Sequence, residues 1–369
     1  MKVLFLTITM GQGHNATAQA LMDYMLNKGA DCRFLDAYEY IAPALRGAFD
    51  KGIVLTTKVT PGAYAALFRL AELRDKNDSS FSMGKIANSV LSVKLRRYLE
   101  DFKPDVIVCT HNLAAQLVDV LKDQGKLDAT IIGIITDYMI QPFWEDLANM
   151  DYFVIASELL LHRARKKGLP EEKILPLGIP VHSKFNNKID KREARRMLGI
   201  DEYKHTILYM SGGLGTGNLT KIIKRIDHLD GDFQTLCVCG RNKSAKRRID
   251  RLSTRKKLYT YGFVDNVDVM MDAADCILTK PGGITISEAL AKKLPIIIVN
   301  PIQGPEERNV EFLLNNGLAM YVTPTFTLDE ALYEFFYYPE RFENMQRNIQ
   351  LIAKPHAARD IGDFIFGLA

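Results

Sequence analysis

The chain has 369 residues, 47% of them apolar and 25% charged, with a formal net charge of +4. That length is long for a single core and points to two domains, and the composition is that of an ordinary globular protein. No uninterrupted apolar stretch reaches about 18 residues, which excludes a spanning helix, and the mild charge excess implies no polyanionic partner by itself.

The opening run Lys2-Val3-Leu4-Phe5-Leu6-Thr7-Ile8-Thr9 is too short for a signal peptide and meets a glycine turn at once, so it reads as a first strand. Further candidate strands lie at 31–35, 105–109, 131–135, 152–156 and 174–177. In the second half they lie at 205–210, 234–239, 258–261, 276–279, 295–299 and 319–322. Helical patterns separate them. This alternation predicts an α/β protein with parallel sheets between helices, one doubly wound domain in each half. The link is expected within 179–200, which becomes very polar at Asn186-Asn187-Lys188. The domains are expected over 1–185 and 186–345, with helices over 346–369, broken at Lys354-Pro355, returning to the first domain.

The segment 36–100 breaks the alternation and is too long for a plain crossover. It mixes Phe49, Ile53, Val54, Leu55, Tyr64, Leu67, Phe68 and Leu70 with Arg46, Lys51, Lys58, Arg69 and Arg74. An inserted helical subdomain with its own core explains it. A membrane-surface or acceptor-binding element is the functional reading. A second biased stretch carries Arg241, Lys243, Lys246, Arg247, Arg248, Arg251, Arg255, Lys256 and Lys257 against Asp250. A solvated helix face accounts for it, and attraction to anionic lipid or nucleotide is the sharper reading. No nucleic-acid motif accompanies it. The cysteines (Cys32, Cys109, Cys237, Cys239, Cys276) fall mostly in strands without metal-type spacing, which fits a reducing cytosol.

The chemistry gathers where strands end. Strand one ends in Met10-Gly11-Gln12-Gly13-His14 before a helix. Ala16 completes a dinucleotide fingerprint only loosely, so a Rossmann cofactor site must be weighed. His14 stands out: a helix N-terminus disfavours the imidazolium, and a neutral imidazole facing a cleft can act as general base. Thr136-Asp137-Tyr138 follows the run Ile131 to Ile135, and Asp137 can orient His14, bind an acceptor hydroxyl, or merely cap a helix. The loop Ser211-Gly212-Gly213-Leu214-Gly215-Thr216-Gly217 exposes backbone N–H groups that suit a phosphate, without being a P-loop. Lys280-Pro281-Gly282-Gly283-Ile284-Thr285-Ile286-Ser287-Glu288 reads as a glycine turn opening a helix. An anion at that helix start and a ribose at Glu288 would fit, and an ordinary capped turn fits equally. The next strand ends in a similar loop, from Asn300-Pro301 to Asn309.

Taken together, these pieces resemble the monogalactosyldiacylglycerol synthase and processive diacylglycerol β-glucosyltransferase group of glycosyltransferase family 28. The matching pieces are Gly11-Gln12-Gly13-His14, Pro104-Asp105-Val106-Ile107, Thr136-Asp137-Tyr138 with Trp144, Gly178-Ile179-Pro180, the Ser211 to Gly217 loop, Cys239-Gly240-Arg241-Asn242, Gly262-Phe263-Val264-Asp265-Asn266, Lys280 to Glu288, and the Asn300 to Asn309 loop. The resemblance implies a GT-B fold, two Rossmann-like domains facing a cleft, the first for an acceptor and the second for a UDP-sugar. It implies His14 as catalytic base, with Asp137 beside it. Phe263 and Val264 would sit by the uracil, Pro281, Gly282, Gly283 and Thr285 at the diphosphate, and Glu288 at the ribose. Glu306, Glu307 and Asn309 would face the sugar or its phosphates, and Gly13, Ser211, Gly212, Gly213 and Arg241 complete the donor set. Two positions depart from the family pattern: Pro305 stands where a sugar-contacting Gln is usual, and Gln141 where a His is frequent.

The implied reaction is inverting transfer of glucose or galactose to diacylglycerol or a related lipid, without cofactor or metal. The implied setting is the cytoplasm, peripheral to the inner face of an anionic membrane, with no nucleic-acid partner. A UDP-sugar epimerase of the same fold and a non-catalytic nucleotide-sugar-binding subunit are the alternatives. The insertion argues against the first and His14 against the second. A nicotinamide-dependent oxidoreductase fits least, because its fingerprint is incomplete.

Overall fold

The computed structural model describes residues 1–9, 13–41, 61–73, 93–215 and 217–368, with the side chains of 61–65 and 67 left aside. The chain divides into two compact units. The first comprises Met1–Ser183, Gln303–Pro305 and His356–Ala369, and the second Lys184–Ile302 and Glu306–Pro355.

The first unit holds strands β1 (Lys2–Thr7), β2 (Asp31–Asp36), β3 (Val106–Cys109), β4 (Thr130–Ile134), β5 (Tyr152–Val154) and β6 (Ile174–Leu175). They form one sheet in the order β2-β1-β3-β4-β5-β6, and every pairing is parallel. Parallel strands are covered on both faces, so they read as continuous apolar runs. Ile131, Ile132 and Ile134 in β4 are fully buried. Gly133 leaves room there for the indole of Trp144, whose ring carbon would lie 2.4 Å from an added Cβ.

The helix Gly13–Asn27 buries Ala18, Leu21 and Met25 against this sheet. The last helix, Ala357–Phe366, joins the same core through Ala357, Ile361 and Ile365. Gly362 lets it approach closely, since a Cβ there would lie 2.5 Å from the Tyr24 ring, and the Tyr24 hydroxyl donates to Asp363 at 2.6 Å. The preceding helix, Pro339–Ile352, lies wholly in the second unit. The change of unit therefore comes at Pro355–His356 rather than at 345–346.

The second unit holds β7 (His205–Met210), β8 (Phe233–Val238), β9 (Leu258–Tyr261), β10 (Cys276–Thr279), β11 (Ile296–Ile298) and β12 (Ala319–Tyr321). Their order is β12-β11-β10-β7-β8-β9, again with parallel pairings throughout. The polar link is docked onto this unit. Buried Lys292 and Asp272 pair at 2.6 Å, Lys292 also donates to the carbonyl of Asn187, and Asp272 accepts from the amide of Ile189. Asp190 then caps the helix Lys191–Met197.

All twelve strands lie within a residue or two of where the apolar runs put them, and the two-sheet α/β class holds. Segment 36–100 is described only in part, as helices Ala37–Ile41, Pro61–Leu73 and 93–102. Arg46, Phe49, Lys51, Ile53, Val54, Leu55, Lys58 and Arg74 lie outside the described residues, as do Met10, Gly11, Gln12 and Thr216.

Candidate active site

Each sheet reverses its winding once. In the first unit the chain runs from β1 outward to β2, then resumes on the other side of β1 with β3. In the second it runs from β7 through β8 to β9, then resumes beside β7 with β10. Doubly wound sheets bind ligands outside the carboxyl ends of strands at such switch points. The polar loops picked out in the sequence stand there.

At the first switch point, half-buried His14 opens the helix that follows β1. Its Nδ1 lies 2.7 Å from the carbonyl oxygen of Thr110, at the end of β3, and 3.0 Å from the hydroxyl of Thr136, at the end of β4. A carbonyl only accepts, so Nδ1 carries the proton and Nε2 keeps its lone pair. Burial holds the imidazole below its ordinary pKa, partly offset by the Thr110 hydrogen bond. His111 meets His14 edge-on with ring centroids 4.7 Å apart. Its own Nδ1 accepts the amide of Leu113 at 3.1 Å, capping the helix Asn112–Asp123. Burial, then the neighbouring His14, hold His111 well below the usual histidine range.

A hydroxyl network braces this corner. Thr110 donates to Thr7 at 3.0 Å, Thr7 to the Asn15 side-chain oxygen at 3.1 Å, and the Asn15 amide to Thr9 at 3.0 Å. Asp36, the acidic residue a dinucleotide site would use, accepts the amides of Thr9 and Glu39. Asp137 accepts from Gln141.

At the second switch point, the loop after β7 and the turn after β10 are neighbours. Gly212 has φ +69°, and a Cβ on it would lie 3.0 Å from Cε of Lys280. Gly240, at φ +55°, sits on the Gly213 carbonyl, which accepts the Arg241 amide at 2.9 Å. Gly282 caps the helix Gly283–Ala291 with no side-chain acceptor, so the first amides of that helix are open to an anion. The turn is held from beneath. Fully buried Asn309 donates to the Pro281 carbonyl at 2.9 Å. Buried Glu306 pairs with Lys280 and accepts the amide of Ile302 at 2.8 Å.

Glu288 lies one turn along that helix. Burial lifts its carboxyl to about pH 8, with Lys184 pulling it back down and Asp268 pushing it up. Phe263, exposed after β9, has the Arg241 guanidinium 5.2 Å from its ring centre, a flat platform of the kind a base stacks on. Among the described residues no group of three or more His, Cys, Asp or Glu side chains could hold a metal ion.

Residues 14–181 match the family described as monogalactosyldiacylglycerol (MGDG) synthase, and residues 190–349 match glycosyl transferases group 1. The processive diacylglycerol beta-glucosyltransferase of Bacillus pumilus is 24% identical over 370 residues, covering 98% of this chain and 93% of that protein. Along nearly its whole length the chain is similar to a diacylglycerol glucosyltransferase, with an MGDG synthase match in its first half. It is a GT-B glycosyltransferase. Solved structures carry the same fold across the chain. MurG of Acinetobacter baumannii superposes with a TM-score of 0.66 at 13% identity, covering 99% of each chain. The UDP-GlcNAc 2-epimerase of Neisseria meningitidis gives 0.61 at 17% identity, covering 100% of each.

In this transferase the expected site residues fall into two groups. Gly13, His14 and Asp137 lie at strand ends of the first unit. Ser211, Gly212, Gly213, Arg241, Phe263, Val264, Pro281, Gly282, Gly283, Thr285, Glu288, Glu306, Glu307 and Asn309 lie beyond the carboxyl ends of β7 to β11 in the second. Thr285 is buried within the helix, and Glu306 and Asn309 brace the turn beneath it. Thr110, His111 and the ammonium of Lys280 join these residues at the two switch points. The signal for the first two was present in Cys109-Thr110-His111-Asn112, a polar run closing an apolar strand.

Proposed function

We propose that the enzyme is an inverting transferase that moves glucose or galactose from a UDP-sugar to the hydroxyl of diacylglycerol or a related lipid. The single observation that carries the reading is the tautomer of His14. With its Nδ1 proton held by Thr110, Nε2 is the basic nitrogen. Nε2 takes the proton of the acceptor hydroxyl as its oxygen attacks the anomeric carbon. The bond from that carbon to the diphosphate oxygen breaks, and UDP leaves with the electron pair. Attack from the opposite face inverts the anomeric centre.

The first unit takes the acceptor, with Asp137 near the attacked hydroxyl. The second takes the donor: uracil on Phe263 and Val264, ribose at Glu288, diphosphate over Gly212, Gly213 and the Pro281 to Gly283 turn, with Glu307 toward the sugar. Two comparisons support this: a relative named for diacylglycerol glucosyl transfer, and a fold neighbour bound to UDP-GlcNAc. No described helix is long and apolar enough to cross a membrane, and in this reading the lipid is met at a surface. We place the enzyme in the cytoplasm, on the inner face of an anionic membrane.

Product analysis tests the proposal. The purified full chain is incubated with UDP-glucose, UDP-galactose or UDP-GlcNAc and diacylglycerol liposomes. Hexosyl-diacylglycerol of inverted anomeric configuration, formed one for one with UDP, is expected. An epimerised sugar with no lipid product would assign the fold to epimerisation instead.

A further inference from the structure

Lys280 is the charge at the second switch point that the functional reading leaves unused. It closes β10 and is only partly exposed, with a side-chain exposure of 21%. Two glycines flank it. A Cβ on Gly212 would lie 3.0 Å from its Cε, and a Cβ on Gly282 would lie 3.5 Å from its Nζ. Side chains at either position would cover the ammonium, so the glycines keep a path open to it. Glu306, buried and fixed by the Ile302 amide, receives one of its donors. An ammonium has three donors.

The placement is electrostatically unusual. Lys280 stands just before the Gly283–Ala291 helix, whose N-terminus already carries positive partial charge. A cation there is held by Glu306 and is otherwise unfavourable. A single carboxylate leaves the site close to neutral before counting the open helix amides. A ligand with two or more negative charges would meet ammonium, amides and the Gly212 loop together.

We propose that Lys280 is the cationic contact for a diphosphate, with Glu306 as the positioning residue that aims it. This deepens the donor reading and rests on it for the identity of the anion. As the bond between the anomeric carbon and the diphosphate oxygen breaks, UDP gains the electron pair, and the ammonium meets the charge that grows there.

Inorganic pyrophosphate, uridine and UDP are the probes, measured by calorimetry on the full chain. The unmodified protein should bind pyrophosphate. Lys280→Met should weaken pyrophosphate and UDP about 10-fold or more while leaving uridine within about 2-fold, and Lys280→Arg should fall between. Glu306→Gln should also weaken pyrophosphate, because the ammonium loses its anchor. Gly282 has φ −73°, so Gly282→Ala is unstrained and places a methyl by the ammonium without altering charge. It should weaken pyrophosphate even if Lys280→Met fails to fold. Pyrophosphate binding absent from the unmodified protein, or unchanged in Lys280→Met or in Gly282→Ala, overturns the proposal. Lys280-dependent pyrophosphate binding without UDP binding would leave the anion site standing and remove the UDP-sugar reading.

Discussion

The Nδ1 of His14 lies 2.7 Å from the carbonyl oxygen of Thr110, 96 residues further along the chain, because β1 and β3 are neighbours in the sheet. That contact fixes both the tautomer and the direction of the ring. Replacing His14 with Ala should lower turnover by about 10²–10⁴-fold, the range for a lost general base. UDP affinity should stay within about 2-fold, since the donor loops belong to the other unit. Steady-state kinetics beside calorimetry decide it. A variant that keeps full turnover would remove His14 from the chemistry. Activity should persist in EDTA, because helix amides and glycine loops serve the leaving diphosphate in this scheme.

The two histidines also make an acid-sensitive joint. Both are held below the ordinary value of 6.5, chiefly by burial. Between the folded and unfolded pKa values the unfolded chain binds protons that the folded chain refuses. Stability is therefore full above about pH 6.5 and falls as pH drops below it. His111→Asn keeps a side-chain acceptor for the Leu113 amide and removes one of the two titrating rings. Its melting temperature should fall less steeply between pH 6.5 and 5 than that of the unmodified protein. Parallel curves would show that the joint is silent.

Glu288 has the opposite sign. Its carboxyl is raised to about 8 from a usual 4.5, so the folded state holds a proton that the unfolded state releases in that window. This group's contribution to stability falls as pH rises from about 4.5 to 8. If ribose hydroxyls donate to Glu288, UDP binding must expel that proton. Calorimetry at pH 7 in buffers of different ionisation enthalpy should show proton release, and affinity should rise with pH up to about 8. Glu288→Ala should weaken UDP by about 1–3 kcal/mol. Buffer-independent heats and unchanged affinity would move the ribose elsewhere.

What could be read from the sequence divides along physical lines. Strands such as Ile131 to Ile134 and Ile296 to Ile298 were legible because a parallel strand buried on both faces is an apolar run closed by a polar loop. The glycines of the candidate site stand out in the sequence because tight turns need backbone at positive φ, as at Gly212 and Gly240. Strand order was not, because it is set by packing across the sheet. His111 therefore looked like any polar residue after a strand, until β3 was seen beside β1. Lys280 and Glu306 stand 26 residues apart, and nothing in the sequence shows that they pair. Glu306 and Asn309 carry the strongest pattern in their loop, yet the structure uses them to hold the Lys280 to Gly282 turn.

The return of the last helix to the first unit depends on one missing side chain. A methyl at Gly362 would lie 2.5 Å from the Tyr24 ring, which is itself held by Asp363. Gly362→Ala should cost about 1–3 kcal/mol as the helix is pushed off its seat. Tyr24→Ala in the same chain should recover part of that loss by removing the clash. Chemical denaturation of both variants checks it; an unaltered midpoint in Gly362→Ala would mean the helix shifts freely.

Lipid binding is the prediction with the widest consequence. On the helix Pro61–Leu73, Leu70 and Leu73 are exposed at 66% and 82%, which does nothing for a folded core. In the second unit Arg247 and Arg248 of the helix Lys243–Ile249, and Arg251 just after it, also face solvent, while Ala245 and Ile249 form the buried side of that helix. Apolar tips can enter the headgroup boundary, and each basic residue near an anionic surface contributes about 1 kcal/mol, screened by salt. Sedimentation with vesicles should therefore increase with anionic lipid and decrease with ionic strength. Leu70→Ser with Leu73→Ser should reduce it at any salt concentration. Arg247→Glu with Arg248→Glu and Arg251→Glu should reduce it most at low salt. Neither set should move the melting temperature by more than a degree or two, because exposed side chains support no core. Loss of binding in the leucine pair alone would put the membrane contact on the first unit, as the reading of segment 36–100 expects, and leave the arginines as a solvated face. No vesicle binding by the unmodified protein would turn the search for the acceptor toward soluble molecules.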